Sequence, residues 1–274
     1  MTTTDPGTHP ALLAAARAAL DTYRDARAAY DRTTLAEPVA TGADGTPTMY
    51  IDRLVEDAVI DALRPHRVNV LSEESGWIDN GSAVSLVIDP LDGSANGAAG
   101  VPLTAFAAAV AVDGEFTEAH TVWLDTGRSW SAHRDRPVAY RTSGRTALSG
   151  AALSLLRPHT GRPGPAAAWW AAASRAARVR ILSTTCLEAA LVAEGAIDAF
   201  ADACSDTHRL VDLAAAAVMV PRAGGAVLDV RGRPLVFDTD LTRRWSGVVA
   251  ATPELAAELA DVLAHAADAA TSAH

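Results

Sequence analysis

An apolar run that ends in two carboxylates and then turns on glycine, Val87-Ile88-Asp89-Pro90-Leu91-Asp92-Gly93-Ser94-Ala95-Asn96, most restricts how this chain can fold. Leu86 to Ile88 is apolar and β-branched and follows the turn-forming Asp79-Asn80-Gly81-Ser82, so it reads as a short buried strand with Asp89 at its carboxyl end. Open α/β sheets bind ligands at that end. Pro90 keeps the chain extended, Gly93 permits a tight turn, and Ser94 is placed to cap a short helix whose free amides would face an anion. Asp89, Asp92 and the Leu91 carbonyl can then converge on one hard cation. Mg²⁺ prefers such oxygen ligands and shares its shell with water and phosphate.

Other readings of the stretch fare less well. A calcium-binding EF-hand loop needs acids at alternate positions and a distal glutamate, whereas two residues separate Asp89 from Asp92 and no such glutamate follows. A phosphoaspartyl phosphatase of the haloacid dehalogenase type spaces its aspartates one residue apart. An acidic strand-to-turn loop without function is the rival for any single Asp-Gly turn.

Two more acidic clusters occur in a fixed order around the first. Leu71-Ser72-Glu73-Glu74-Ser75-Gly76 lies upstream; Leu210-Val211-Asp212-Leu213-Ala214-Ala215 lies downstream, with Arg222-Ala223-Gly224-Gly225 behind it. Together they resemble the inositol monophosphatase superfamily of Mg²⁺-dependent, Li⁺-sensitive sugar phosphatases, whose signatures are GEE, DPxDG(S/T) and DxAA…EAGG. The resemblance runs from Tyr30 to Val249. It is closest to the archaeal-type branch that hydrolyses both fructose 1,6-bisphosphate and inositol monophosphate, through GADGTPT (Gly42 to Thr48) and VNVLSEESG (Val68 to Gly76).

The resemblance implies an α/β fold, a layered αβαβα sandwich of the sugar phosphatase type, and usually a homodimer. It implies that Glu73, Asp89, the Leu91 carbonyl, Asp92 and Asp212 hold about two or three Mg²⁺ ions, with Mn²⁺ as an alternative and Li⁺ as an inhibitor. Asp52 and Ser94 match the family's base and relay for a nucleophilic water, Glu74 supports water or a further metal, and the amides of Gly93 and Ser94 bind phosphate. Asp202 matches an acid that hydrogen-bonds substrate hydroxyls. Ser183 and Thr184 stand where the family has a Gly-Ser turn lining the sugar site, although helix capping explains them about as well. Arg209 is placed to steer a second phosphate, its rival being a solvent-facing charge, and His208 reads as a surface loop residue. After Asn96 the pattern departs: Gly97 and Gly100-Val101-Pro102-Leu103-Thr104 replace family aromatics, which points to a reshaped pocket wall and a sugar or nucleoside phosphate rather than inositol phosphate. Val211 replaces a tryptophan and Arg222 a glutamate. A catalytically silent regulator that binds a phosphorylated ligand is the alternative from another class, and the complete set of acids argues for the enzyme.

The composition sets the remaining bounds. The 274 residues are 49% hydrophobic and 20% charged, enough for a large core in a soluble globular protein. A formal net charge of −10 argues against a nucleic-acid or anionic-membrane partner, and means that a small phosphate ester needs local cations to approach. Every basic side chain besides histidine is arginine, which excludes a catalytic lysine. Cys186 and Cys204 lack metal-ligand spacing and read as ordinary thiols in a reducing cytoplasm. The amino-terminal residues lack the cationic-then-apolar pattern of a leader, and no stretch is apolar enough to span a membrane.

Periodicity places the elements. Pro10 to Tyr30 reads as a helix and Thr33 to Thr48 as a loop. The family resemblance implies that this is a mobile catalytic loop helping to hold an additional metal through Asp44 or Thr46, and a plain Asp44-Gly45 turn is the equal rival. Met49 to Leu63 is helical, with Asp52 and Glu56 on a face that would be solvated in isolation. Val68 to Leu71 is a strand; Ala105 to Val112, Glu115 to Val122 and Arg128 to Ala132 form an antiparallel meander packed by Trp123 and Trp130. Arg134 to Gly164 is the transition from an N-terminal α+β half, 1–140, to a C-terminal α/β half, 141–274. There, helices are expected at Ala166 to Arg175, Cys186 to Glu194, Leu213 to Val220 and Pro253 to Ala267. Strands are expected at Val179 to Leu182, Ala196 to Ala201, Val227 to Val230, Leu235 to Phe237 and Val248 to Ala250.

Overall fold

The computed structural model describes residues 7–272; residues 1–6, on which the absence of a leader partly rests, lie outside them. Helix α1 (Pro10–Ala29) starts with proline in its first turn, and the His9 ring caps it by accepting the Ala11 N–H at 3.2 Å. Its buried residues, Leu12, Ala15, Ala19, Tyr23 and Ala26, recur every three or four positions. The segment expected as a loop instead folds into α2 (Arg32–Leu35) and a hairpin of β1 (Pro38–Thr41) and β2 (Pro47–Met49). Elements this short are below the length at which a hydrophobic period can announce them. Helix α3 (Tyr50–Leu63) follows as expected.

The first sheet comprises β3 (Asn69–Ser72), β4 (Gly76–Ile78), β5 (Val84–Asp92), β6 (Ala105–Val112), β7 (Glu115–Trp123) and β8 (Arg128–His133), with α4 (Ser94–Ala99) between β5 and β6. Its order is β4-β3-β5-β6-β7-β8; β3 and β5 are parallel and the rest of the ladder is antiparallel. Trp130 is buried and Trp123 packs beside it, as expected of the meander. Strand β6 reads AFAAAVAV and is buried along almost its whole length, its small side chains letting helices approach both faces.

The second sheet comprises β9 (Ala152–Leu155), β10 (Arg178–Arg180), β11 (Ala199–Ala201), β12 (Ala226–Asp229) and β13 (Gly247–Ala250), in the order β10-β9-β11-β13-β12. Interleaved with these strands are α5 (Pro163–Ala173), α6 (Thr185–Ala193), α7 (Leu210–Arg222) and α8 (Pro253–Ser272). Strand β9 lies inside the stretch expected as a mere transition; it is four residues long between Gly- and Pro-containing flanks. The strand expected at Leu235 to Phe237 does not form, and Val236 is exposed.

Helices α1 and α3 cover one face of the first sheet, α6 and α7 fill the space between the sheets, and α8, with α5 packed against it, covers the far face of the second. This is the layered αβαβα sandwich. The middle layer buries Leu71 and Val87 from one sheet in the same cluster as Phe200 and Val249 from the other. Among the described residues no helix is long and apolar enough to cross a membrane.

One buried base makes the fold sensitive to acid. His120 on β7 is 4% exposed and its Nδ1 is 2.8 Å from the Ser131 hydroxyl. Burial pushes its pKa down to about 4 from 6.5. The unfolded chain therefore takes up the proton first, and stability that is complete above the unfolded value is lost as pH falls between these values. Denaturant titrations at pH 7 and pH 4 should show His120→Gln losing about 3 kcal/mol less stability than the unmodified chain across that window.

Candidate active site

Strand β5 does not stop at Ile88 but runs on through Pro90 to Asp92, and its pairing explains the site. Asp89 pairs with Ala107 and Asp92 with Ala105, so three steps on β5 match two on β6. Residues an odd number apart on a regular strand face opposite sides; the bulge supplies the extra residue that turns both carboxylates the same way. Pro90 sits within the bulge, where its missing N–H takes nothing from the ladder. Gly93 follows at φ 82° as the N-cap of α4. Ser94, expected to be that cap, is instead the first helical residue, and its hydroxyl donates to the Leu91 carbonyl at 3.0 Å. A Cβ on Gly93 would lie 2.7 Å from the Leu103 carbonyl oxygen, so neither the backbone nor the space admits a side chain.

Asp92 is oriented from across the molecule. Its Oδ2 accepts the Thr184 hydroxyl at 2.6 Å and the Cys186 N–H at 2.8 Å, while Oδ1 accepts the Thr185 N–H at 3.2 Å. The start of α6 thus clasps the carboxylate, which also complements the helix dipole. Thr184 occupies the cap position but its hydroxyl goes to Asp92 rather than to the helix, which decides against capping as its role. Ser183, exposed and at φ 59°, stands at the pocket mouth. Cys186, read from sequence as an ordinary thiol without metal-ligand spacing, lies with Sγ 3.8 Å from Asp89 Oδ2 and 3.5 Å from the Asp212 carbonyl. Asp89, Asp92 and Cys186 form the one group among the described residues whose ligand atoms all lie within 4.8 Å of one another.

Glu73 sits just after β3, and Asp212 is the third residue of α7, where it accepts the Arg209 N–H at 2.6 Å. Arg209 is neither a free phosphate-steering group nor a solvent-facing charge. Its guanidinium pairs with Asp212 at 2.9 Å, with Asp44 at 2.8 Å and with Glu73. Asp44 also receives the Thr46 N–H and hydroxyl, so its turn and its place in the site are one feature.

Asp52 and Glu56, assigned to a solvated face in isolation, are both buried. Glu56, which sequence reasoning passed over, accepts the Glu74 and Ser75 amides at 3.0 and 2.7 Å and so shapes the turn that carries Glu73. Asp52 accepts the Met49 N–H at 3.0 Å, and lines a small crevice with Glu56, Glu73, Glu74, Pro90 and Leu91. Glu74 accepts the Thr48 hydroxyl.

Three expectations are corrected. Asp202 is fully buried and absent from the pocket wall; its carboxylate accepts Ser205 N–H at 2.9 Å, Thr207 N–H at 2.8 Å and the Ser205 hydroxyl, organising its own loop. His208 is 1% exposed rather than on the surface, its Nδ1 accepting the Gly247 N–H at 3.1 Å. Gly97 faces Thr104, Tyr23 and Ile51 in the core, so the missing aromatic there does not reshape the pocket. The pocket, about 540 Å³, has walls that include Arg157, His159, Ser183, Arg244 and the acids Asp44 and Asp206, over a floor of Asp92, Glu73, Arg209 and Asp212.

The electrostatics of the floor are those of a cation site. Burial, reinforced by Glu73, Asp92 and Asp212, pushes the Asp89 carboxyl well above its ordinary range. Burial takes Glu73 to about 8 against the pull of Arg209, and Asp92 to about 6 against the bonds from Thr184 and Cys186. Burial raises Asp212 as well, but Arg209 outweighs it and holds that carboxyl low. One guanidinium cannot offset four such groups. The donor set is dominated by carboxylates, with the Cys186 thiol the one soft atom among them, and carboxylates fit a hard divalent ion.

The residues from 8 to 269 match the model of the inositol monophosphatase family. The chain belongs to that metal-dependent family of phosphoric monoester hydrolases. It is 32% identical over 232 residues to a fructose-1,6-bisphosphatase/inositol-1-monophosphatase of Thermococcus kodakarensis, covering 80% of this chain and 84% of that one. It is 31% identical over 231 residues to the protein of the same description from Methanocaldococcus jannaschii, covering 82% and 88%. Its fold superimposes on the crystal structure of an inositol monophosphatase–fructose 1,6-bisphosphatase with a TM-score of 0.80 and 26% identity, over 91% of this chain and 98% of that one.

Gly93→Ala tests the turn after the bulge. With φ at 82° and a backbone oxygen in the way, it should cost more than about 1 kcal/mol in urea denaturation and reduce turnover as well.

Proposed function

We propose that the protein is a Mg²⁺-dependent phosphomonoesterase acting on a small phosphate ester. The observation that carries this reading is the bulge-aligned pair Asp89 and Asp92, of which Asp92 reaches the floor of an open pocket with Glu73 and Asp212 while Asp89 lies buried behind it. In it, Glu73, Asp89, Asp92, Asp212 and the Leu91 carbonyl would hold the Mg²⁺, which when bound supplies Lewis-acid polarisation of the phosphate and a lowered pKa for water. Asp52 is the base: burial raises its pKa to about 6, with Ser94 and the Met49 amide pulling downward, so it is ready to accept a proton near neutral pH. Ser94 would exchange its Leu91 partner for the water that Asp52 deprotonates. Glu74, raised by burial to about 7, shares the crevice and supports that water. The amides of Gly93 and Ser94 would receive phosphate oxygens. The chain would act as a homodimer in the cytoplasm.

The walls favour a phosphate ester with a second negatively charged group, such as a sugar bisphosphate, over a neutral polyol phosphate. Arg157 and His159 stand at the pocket lip without an ion pair among the described residues, and Arg244 reaches the pocket beside Asp44. An unpaired arginine in an otherwise acidic protein is a ready partner for such a group.

Phosphate release from sugar, inositol and nucleoside phosphates, measured with Mg²⁺, with EDTA and with Li⁺, should be abolished by EDTA and reduced by Li⁺. Asp92→Asn should lower kcat at least about 100-fold, close to 3 kcal/mol of transition-state stabilisation; unchanged turnover at saturating Mg²⁺ would refute the metal mechanism. Arg157→Ala should raise KM for a bisphosphate several-fold and leave a monophosphate unaffected. Equal KM changes for both would refute the substrate reading.

A further inference from the structure

A buried carboxyl outside the pocket lining is not used by the proposed reaction. Glu188 on α6 is 0% exposed, and no ion pair to it occurs among the described residues. Its Oε2 accepts the Thr184 N–H at 3.2 Å, and its Oε1 accepts the hydroxyl of Ser154, itself fully buried on β9. Thr184 is the residue whose hydroxyl meets Asp92 Oδ2 at 2.6 Å. A chain of hydrogen bonds thus runs from the second sheet through Ser154, Glu188 and Thr184 to a carboxylate of the first.

We infer that Glu188 is a positioning residue for the metal site, holding Thr184 so that the start of α6 fixes the orientation of Asp92. This rests on the reading of Asp92 as a metal ligand. Asp92 is the last residue of β5, its backbone paired with Ala105 beyond the bulge, and its carboxylate takes its protein donors from the start of α6, Thr184 to Leu187. Thr184 is the N-cap of α6, at φ −156° and ψ 87°: the helix takes its carbonyl, which accepts the Glu188 N–H at 2.9 Å, but leaves its own N–H to be held by a side chain. Glu188, one turn further on, holds it from within the helix and is in turn tied to β9. An uncompensated carboxyl in an apolar interior is costly, and a leucine there would avoid that cost. Its hydrogen bonds to the ligand's own partner are the function that balances it. Groups bonded directly to a metal ligand, as Thr184 is to Asp92, typically change metal affinity about 10- to 100-fold, and Glu188 acts through that group.

Burial raises the Glu188 pKa to about 8, so the group carries its proton at neutral pH and glutamine reproduces its shape and charge. The test is calorimetric titration of the full chain with Mg²⁺, together with the shift of Tm that Mg²⁺ produces. Glu188→Leu, which keeps the packing and deletes both hydrogen bonds, should weaken Mg²⁺ binding about 10-fold or more. Glu188→Gln should bind within about threefold of the unmodified chain, a rescue that a loss of packing alone would not give. Ser154→Ala, a small change that leaves the helix intact, should weaken binding in the same direction and decides the matter should Glu188→Leu not fold. Mg²⁺ affinity within about twofold of the unmodified value in folded Glu188→Leu, or in Ser154→Ala if the leucine variant does not fold, would overturn the inference. Failure of the unmodified chain to bind Mg²⁺ would instead refute the reading of the site on which it rests.

Discussion

Four carboxylates held near one another out of bulk water repel, and nearly every element around the pocket serves to keep Glu73, Asp89, Asp92 and Asp212 there. The donors come from different layers. The start of α6 clasps Asp92, the start of α7 and the Arg209 side chain engage Asp212, and Arg209 reaches on to Glu73 and to Asp44 beside the first hairpin. Two helix starts and one guanidinium therefore supply the positive potential that the strands cannot. The layered architecture makes this possible, because α6 and α7 lie between the sheets and both begin at the end where β3 and β5 deliver their acids.

Much of this was legible in the order of residues, for reasons that can be named. The helices α1, α3 and α8 are long enough for a 3.6-residue period to emerge, and the meander β6 to β8 is marked by turn residues between apolar runs. Strand β9 and the first hairpin were hidden because each is only three or four residues long. Asp52 and Glu56 show the limit of reading a helix alone: a charged face on α3 is solvated only if nothing is packed on it, and here the Glu73-Glu74 turn is.

The candidate site divides along the same line. Acids carried by contiguous motifs, Glu73, Asp89, Asp92 and Asp212, come together at the end of the sheet. Residues assigned from isolated positions did worse. Asp202 is consumed by its own loop, Arg209 by three carboxylates, and Gly97 points into the core. Each outcome depends on partners far away in the chain, such as Asp44 for Arg209, and local composition holds no record of such partners. Glu188 was invisible for the same reason: within its own helix it looks like a surface acid, and only β9 and the cap residue give it a task.

The bulge in β5 gives the site an arithmetic character. Which side of a strand a residue faces is a matter of odd or even counting, and Asp89 and Asp92 agree only because one extra residue is absorbed between them. The walls, by contrast, are single side chains such as Arg157, His159 and Ser183, each replaceable on its own. Descendants of this scaffold can therefore drift smoothly from one substrate to another by point substitution, while loss or gain of a single residue between the two aspartates would throw one carboxylate to the opposite face at a stroke. The same gene can be plastic in what it recognises and brittle in how it is spelled.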